Sequence, residues 1–114
     1  MFNFNIFRTN EGNIDVEKFE ELIKQNYTVI DVRTPEEYKQ SRIDGAMLIN
    51  FYDPTFKKRV YELDKDGRYL IYCRSGSRSK NALSLFKQAG IEKAFHLAGG
   101  IISWHRAGKL IVNI

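Results

Sequence analysis

The chain has 114 residues, 43% of them apolar and 28% charged, a balance that lets one globular domain, residues 1–114, bury roughly two-thirds of its unfolded surface. A single cysteine excludes an internal disulfide, and one Cys with two well-separated His gives no metal-ligand spacing. The formal charge of +4 and the sequence pI of about 9.2 favour anionic ligands mildly, but they do not mark a nucleic-acid binder, since the basic run Lys57, Lys58 and Arg59 reads as a solvated helix face.

The opening segment MFNFNIFRTNEG lacks the basic flank and unbroken apolar stretch of a secretion leader. No window approaches the roughly 18 consecutive apolar residues that a membrane span needs. The expectation is a water-soluble protein of a reducing cytoplasm. The first helix follows Asp15 as N-cap, with Ile14 and Phe19 spaced as a hydrophobic staple and Val16, Phe19 and Ile23 on one face, and should run to about Asn26. TVIDV is the next strand. It runs directly into TPEE, where Thr34, Pro35 and Glu37 form a capping box with proline at the first helical position.

Residues 47–49 suit another short strand, and Asp53 with Pro54 reads as the cap and first position of a helix carrying Phe56, Val60 and Leu63. DKDG is a turn. Residues 69–72 form an apolar strand, and after a serine-rich stretch Ala82, Leu85, Phe86 and Ala89 repeat at helical spacing up to Gly90. AFHL then reads as strand, AGG as turn, and IISWHRA as a short helix closed by Gly108. Strands alternating with helices predict an α/β fold, with a mostly parallel sheet and helices on both faces. KLIVNI, apolar for a terminus, packs along the domain or joins a dimer contact, and the reading prefers packing, in a monomer or weak homodimer.

Ligands of open α/β sheets sit beyond the carboxyl ends of the strands, and Cys73 stands at such an end, followed by the loop CRSGSR. A lone cysteine is commonly core filling. Here the loop glycine, Gly76, permits unusual backbone angles, so that successive N–H groups can turn inward as an anion-binding nest, with the following helix pointing its N-terminus at the same spot. Those dipoles, with Arg74 and Arg78, favour thiolate over thiol, and the thiolate is the nucleophile. Ser75, Ser77 and Ser79 read as small turn and cap residues, with Ser79 helping the helix begin. His96, in an apolar strand, and His105, in the terminal helix, read as structural.

At these residues the chain resembles the rhodanese-type sulfurtransferases over nearly its whole length. VIDVRTPEEY at 29–38 resembles that family's first signature, IDGAMLIN at 43–50 its middle segment, CRSGSRS at 73–79 its active loop, and LAGGIISWHRAG at 97–108 its C-terminal signature. One departure is Arg42, where the family often has histidine. The resemblance implies a rhodanese-like fold in which Cys73 takes a sulfane sulfur from a small anionic donor such as thiosulfate and holds it as a persulfide. Cyanide, a thiol or a protein acceptor then removes it, with no metal or organic cofactor. Arg74, Ser75, Gly76, Ser77 and Arg78 would bind substrate, the arginines stabilising departing sulfite and the N–H groups of 74–78 steadying the persulfide. Asp31 and Arg33 match the first signature, and an ion pair bracing the sheet edge explains them.

Two rival functions are weighed. Certain dual-specificity phosphatases share the resemblance but place five residues between cysteine and arginine. Cys73 and Arg78 bracket only four, which makes phosphatase or arsenate chemistry the minor enzymatic reading. A non-catalytic interaction module, the form some family members take when the cysteine is lost, is opposed by the presence of Cys73.

Overall fold

The computed structural model describes residues 12–113, so the reading of the first twelve residues as lacking a leader lies almost wholly outside the described residues. The elements are β1 (Asn13–Ile14), α1 (Val16–Ile23), β2 (Thr28–Asp31), α2 (Pro35–Gln40), β3 (Arg42–Ile43), β4 (Met47–Leu48), α3 (Phe56–Tyr61), β5 (Tyr69–Tyr72), α4 (Ser77–Gln88), β6 (Ala94–Leu97), α5 (Gly100–Arg106) and β7 (Ile111–Val112). Five strands pair in parallel in the order β1-β6-β5-β2-β4, and β3 pairs antiparallel with β7 apart from them. This is the expected α/β architecture.

Alternation along β5 builds the two layers. Tyr69 and Ile71 pack with Val60 of α3 and Ala82 and Phe86 of α4. Leu70 and Tyr72 face the other way, onto Phe19 and Leu22 of α1 and Ile101 and Trp104 of α5. All four residues of β5 are therefore buried, as a strand covered on both faces must be. Among the described residues no helix is long and apolar enough to cross a membrane.

Local chemistry sets the element ends. Asp15 accepts the Lys18 N–H at 2.9 Å, and α1 stops at Ile23, short of the expected Asn26, because Asn26 turns left-handed (φ 69°) and Tyr27 N reaches back to Leu22 O at 3.2 Å. At α2 the capping box forms as read, with Glu37 N donating to Thr34 Oγ1 at 3.2 Å and Thr34 N to Glu37 Oε1 at 3.1 Å. The reading of Asp53 and Pro54 as the start of α3 is corrected: the Asp53 carboxylate bonds two residues ahead, to Thr55 N at 2.8 Å, which makes a turn and delays the helix to Phe56. Leu63 falls beyond that helix and packs partly buried beside it.

The terminal segment packs along the domain, Ile111 and Val112 pairing with Ile43 and Arg42. Arg42 lies 4.3 Å from the Tyr38 ring centroid and donates to Tyr38 O at 3.2 Å, which gives its cation a structural place. Asp31 and Arg33 are an ion pair as expected, yet not at a sheet edge, because β2 lies between β5 and β4. Asp31 is fully buried and accepts Arg33 Nε at 3.0 Å and Nη2 at 2.8 Å. The Tyr72 hydroxyl donates to Asp31 Oδ2 at 2.6 Å and accepts Ile43 N at 3.1 Å. Burial, then the Asp31 anion, push the Tyr72 phenol far above its usual range, so it stays a donor.

Replacing Tyr72 by Phe leaves Ile43 N without its partner and removes one hydrogen bond from Asp31 Oδ2, which Arg33 still meets. Such unsatisfied buried groups cost about 1–3 kcal/mol. Urea unfolding of Tyr72→Phe should show a loss of that size with an unchanged denaturant slope, and an unmoved midpoint would deny the hub its role.

Candidate functional site

Cys73 directly follows β5, which is flanked by β6 and β2 at the middle of the sheet. Its side chain is buried, and its sulfur accepts Gly76 N at 3.1 Å and Ser79 N at 3.3 Å, with Ser79 Oγ at 3.6 Å. Gly76 is the N-cap of α4, with φ 110°, a left-handed value that glycine alone adopts readily. Having no side chain, it cannot cap. The Ser79 N–H, third in the helix and normally satisfied by a Ser or Asp cap, is taken by the Cys73 sulfur instead.

The carbonyls of the same turn satisfy a second helix. Cys73 O accepts Ile101 N at 2.9 Å and Arg74 O accepts Ile102 N at 3.2 Å, so the first turn of α5 docks on the loop's backbone. The approach is close enough to require glycine: at Gly100, with φ 63°, a Cβ would fall 2.6 Å from Cys73 O and nearer still to Arg74 O. That contact explains the AGG turn.

The predicted loop residues divide. Arg74, Ser75 and Ser77 are exposed, while Gly76 and Arg78 are half-buried. Among the described hydrogen bonds, Gly76 is the member of 74–78 whose N–H meets the sulfur; the other comes from Ser79, outside the predicted set. Its signal was present in the sequence as the third helical position after a glycine cap.

Arg78, expected to charge the sulfur's surroundings, is not a free cation. Its guanidinium forks onto Glu37, Nη1 to Oε1 at 2.7 Å and Nη2 to Oε2 at 3.0 Å. The physical reason is that the α2 capping box aims the Glu37 carboxylate across the loop, an acid that lies 41 residues away in sequence. Chiefly through that hydrogen bond, the Glu37 carboxyl is pulled down to about 2, and Arg78 is raised for the same cause. Arg78 also lies 5.8 Å from the ring centroid of Tyr52, an exposed side chain. Arg74 has no acidic partner among the described residues.

His96, expected to be structural, is buried with Nδ1 3.0 Å from Ser79 Oγ. His105 is exposed, as are Lys57, Lys58 and Arg59.

A family model described as the rhodanese-like domain matches residues 15–107. A sulfurtransferase of Allochromatium vinosum is 38% identical over 88 residues, covering 77% of this chain and 80% of that protein. A tRNA uridine(34) hydroxylase of Acinetobacter baumannii is 31% identical over 96 residues, covering 80% of this chain but only 31% of that protein. The crystal structure of a rhodanese-related protein from Thermoplasma volcanium matches with a TM-score of 0.78 at 31% identity, over 88% of this chain and 96% of that one.

The Glu37–Arg78 pair predicts a defined acid response. Above the ordinary carboxyl value of 4.5, Glu37 is ionised in both the folded and the unfolded chain, and the pair contributes fully. Between 4.5 and about 2 the unfolded chain binds a proton that folded Glu37 refuses, so the contribution falls with pH and is lost below that range. Unfolding midpoints followed from neutrality into this acid range should drop further for wild type than for Glu37→Gln. Parallel curves would refute the pairing.

Proposed function

The chain belongs to the rhodanese-like domain family, and from that premise we propose that it is a sulfurtransferase in which Cys73 carries a sulfane sulfur from a small anionic donor such as thiosulfate to cyanide, a thiol or a protein acceptor. The A. vinosum relative that bears the name sulfurtransferase supports a sulfur-transfer role. The observation that carries the reading is a single one: the Cys73 sulfur stands at the carboxyl end of β5 and receives two backbone N–H groups, Gly76 at 3.1 Å and Ser79 at 3.3 Å. Fixed N–H dipoles stabilise negative charge on sulfur without having to reorganise during the reaction.

In the first step the Cys73 thiolate attacks the outer sulfur of thiosulfate. A sulfur–sulfur bond forms at Cys73 as the bond to the sulfonate breaks, and sulfite leaves with the electron pair. Arg74, exposed and without an acidic partner among the described residues, is the cation assigned in this proposal to donor and leaving group. Arg78, paired with Glu37, acts by holding the loop. In the second step cyanide or a thiolate attacks the outer sulfur of the persulfide, and Cys73 departs as the thiolate on which the cycle began.

Phosphatase chemistry is disfavoured twice over. Four residues separate Cys73 from Arg78, and the arginine that would clasp a phosphoryl group already holds a carboxylate.

Intact mass after exposure to thiosulfate should rise by one sulfur atom and return on adding cyanide. Cys73→Ser should keep the fold and lose both the adduct and the transfer, since a hydroxyl forms no persulfide, while a generic aryl phosphate is left untouched by wild type. Sulfur turnover surviving in Cys73→Ser, or phosphate-ester hydrolysis that depends on Cys73, would overturn the proposal.

A further inference from the structure

Two buried polar side chains take no part in the steps above. Ser79 is fully buried on α4 and His96 is buried on β6. Ser79 owns one hydroxyl proton and faces three polar atoms: His96 Nδ1 at 3.0 Å, Gly76 O at 3.3 Å and Cys73 Sγ at 3.6 Å. Where that proton points depends on the imidazole. Burial, reinforced by the nearby Lys80 cation, pushes the His96 pKa below its ordinary value, which leaves a neutral ring with one proton for two nitrogens.

The two tautomers have opposite consequences for the sulfur. With the proton on Nε2, Nδ1 is an acceptor and draws the Ser79 proton to itself, so the hydroxyl oxygen can only accept from a Cys73 thiol. With the proton on Nδ1, the ring donates to Ser79 Oγ, and the hydroxyl is free to donate to a Cys73 thiolate. Among the described residues no acceptor is bonded to Nε2, so a proton there has no partner among them. For the thiolate, the Nδ1–H arrangement makes one hydrogen bond more than its rival, and that bond is charge-assisted. The competing acceptor, Gly76 O, is uncharged.

We propose that His96 is a positioning residue for Cys73: its Nδ1–H donates to Ser79 Oγ and so turns the Ser79 hydroxyl proton toward the sulfur. The chain Cys73, Ser79, His96 spans three elements, the end of β5, the first turn of α4 and β6. Ionisation of the cysteine and the tautomer of the histidine are thereby one coupled event. The inference deepens the sulfur-transfer reading and rests on Cys73 as its reacting group, since the thiolate it stabilises is the form that attacks the donor and the form that the acceptor releases.

The test has a spectroscopic arm and a kinetic arm, both on the full chain. Long-range nitrogen–proton NMR of the reduced protein, with the His105 signals identified through His105→Gln, should place the His96 proton on Nδ1. On the acid limb of its pH profile, where the thiol predominates, alkylation of Cys73 by iodoacetamide should slow in Ser79→Ala and in His96→Phe by roughly three- to tenfold. That is about half, in logarithm, of what a lost hydrogen bond to a charged group implies, because a less stabilised thiolate is also the better nucleophile. His96→Asn, whose amide N–H replaces Nδ1–H, should alkylate near the wild-type rate, and His96→Phe added to Ser79→Ala should cost nothing more. A proton on Nε2, losses that multiply in the double variant, or an Asn variant as slow as the Phe variant would each overturn the proposal. Should His96→Phe fail to fold, the spectrum and His96→Asn still decide. If wild type takes up no sulfur from thiosulfate while the coupling holds in alkylation, the sulfur-transfer reading fails and the positioning role stands.

Discussion

A helix that begins without a capping side chain must find an acceptor elsewhere for its first N–H groups, and α4 finds it in the sulfur of Cys73. Much of the structure follows from that substitution. Gly76 has to occupy the cap, because the turn needs a left-handed residue and a Cβ there would stand only 3.4 Å from Gly99 N. The cysteine has to sit at the end of a central strand, which holds its backbone rigid while the helix N-terminus is brought to it. The backbone of the same turn, through Cys73 O and Arg74 O, then serves α5 in the same way, and Gly100 is the residue that lets the two approach. Two helices, from opposite faces of the sheet, are thus capped by one short turn.

The surroundings of the sulfur are built more from dipoles than from formal charge. Counting residues in the loop suggests two free arginines; in the fold one of them is paired with Glu37. What acts directly on Sγ is a pair of backbone N–H groups and a hydroxyl. Formal charges work one step further out, where they fix geometry. Arg78 with Glu37 ties the loop to the capping box of α2, and Arg33 with Asp31 ties β2, through the Tyr72 hydroxyl, to β5 and to the β3 backbone. Because Glu37 both caps α2 and grips Arg78, the start of one helix and the shape of the loop are set by one carboxylate.

What was legible in the sequence is what neighbours along the chain decide. The Asp15 cap, the Thr34–Glu37 box and the buried run at residues 69–72 each depend on spacings of a few residues, and each forms as read. The misread start of α3 was local too, but there two local rules competed: an Asp-Pro pair suits a helix cap and also a turn, and the Thr55 N–H decided for the turn. The missed features are contacts at long range. β3 and β7 are two residues each and exist by virtue of pairing with one another, so neither carries a pattern of its own. The same holds at the site: Cys73 and Gly76 could be placed from the motif, whereas the partner of Arg78 lies 41 residues away and the partner of Ser79 lies 17 away on another strand. Ser79 looked like a helix starter because its position is that of one. Only the fold turns its hydroxyl inward between a sulfur and an imidazole.

Loop length and chemistry are joined through the same geometry. The N–H that meets the sulfur belongs to the third residue of α4, and the arginine one place before it points outward to Glu37. One more residue between Cys73 and Arg78 would leave the strand and helix where the sheet holds them and widen the arc between, drawing the Ser79 N–H away from the sulfur or rotating the first helical turn off Glu37. A wider arc suits a tetrahedral group held by a free guanidinium. A narrow one closes two N–H groups on a single atom and sets the arginine against a carboxylate, which is the form this loop has taken.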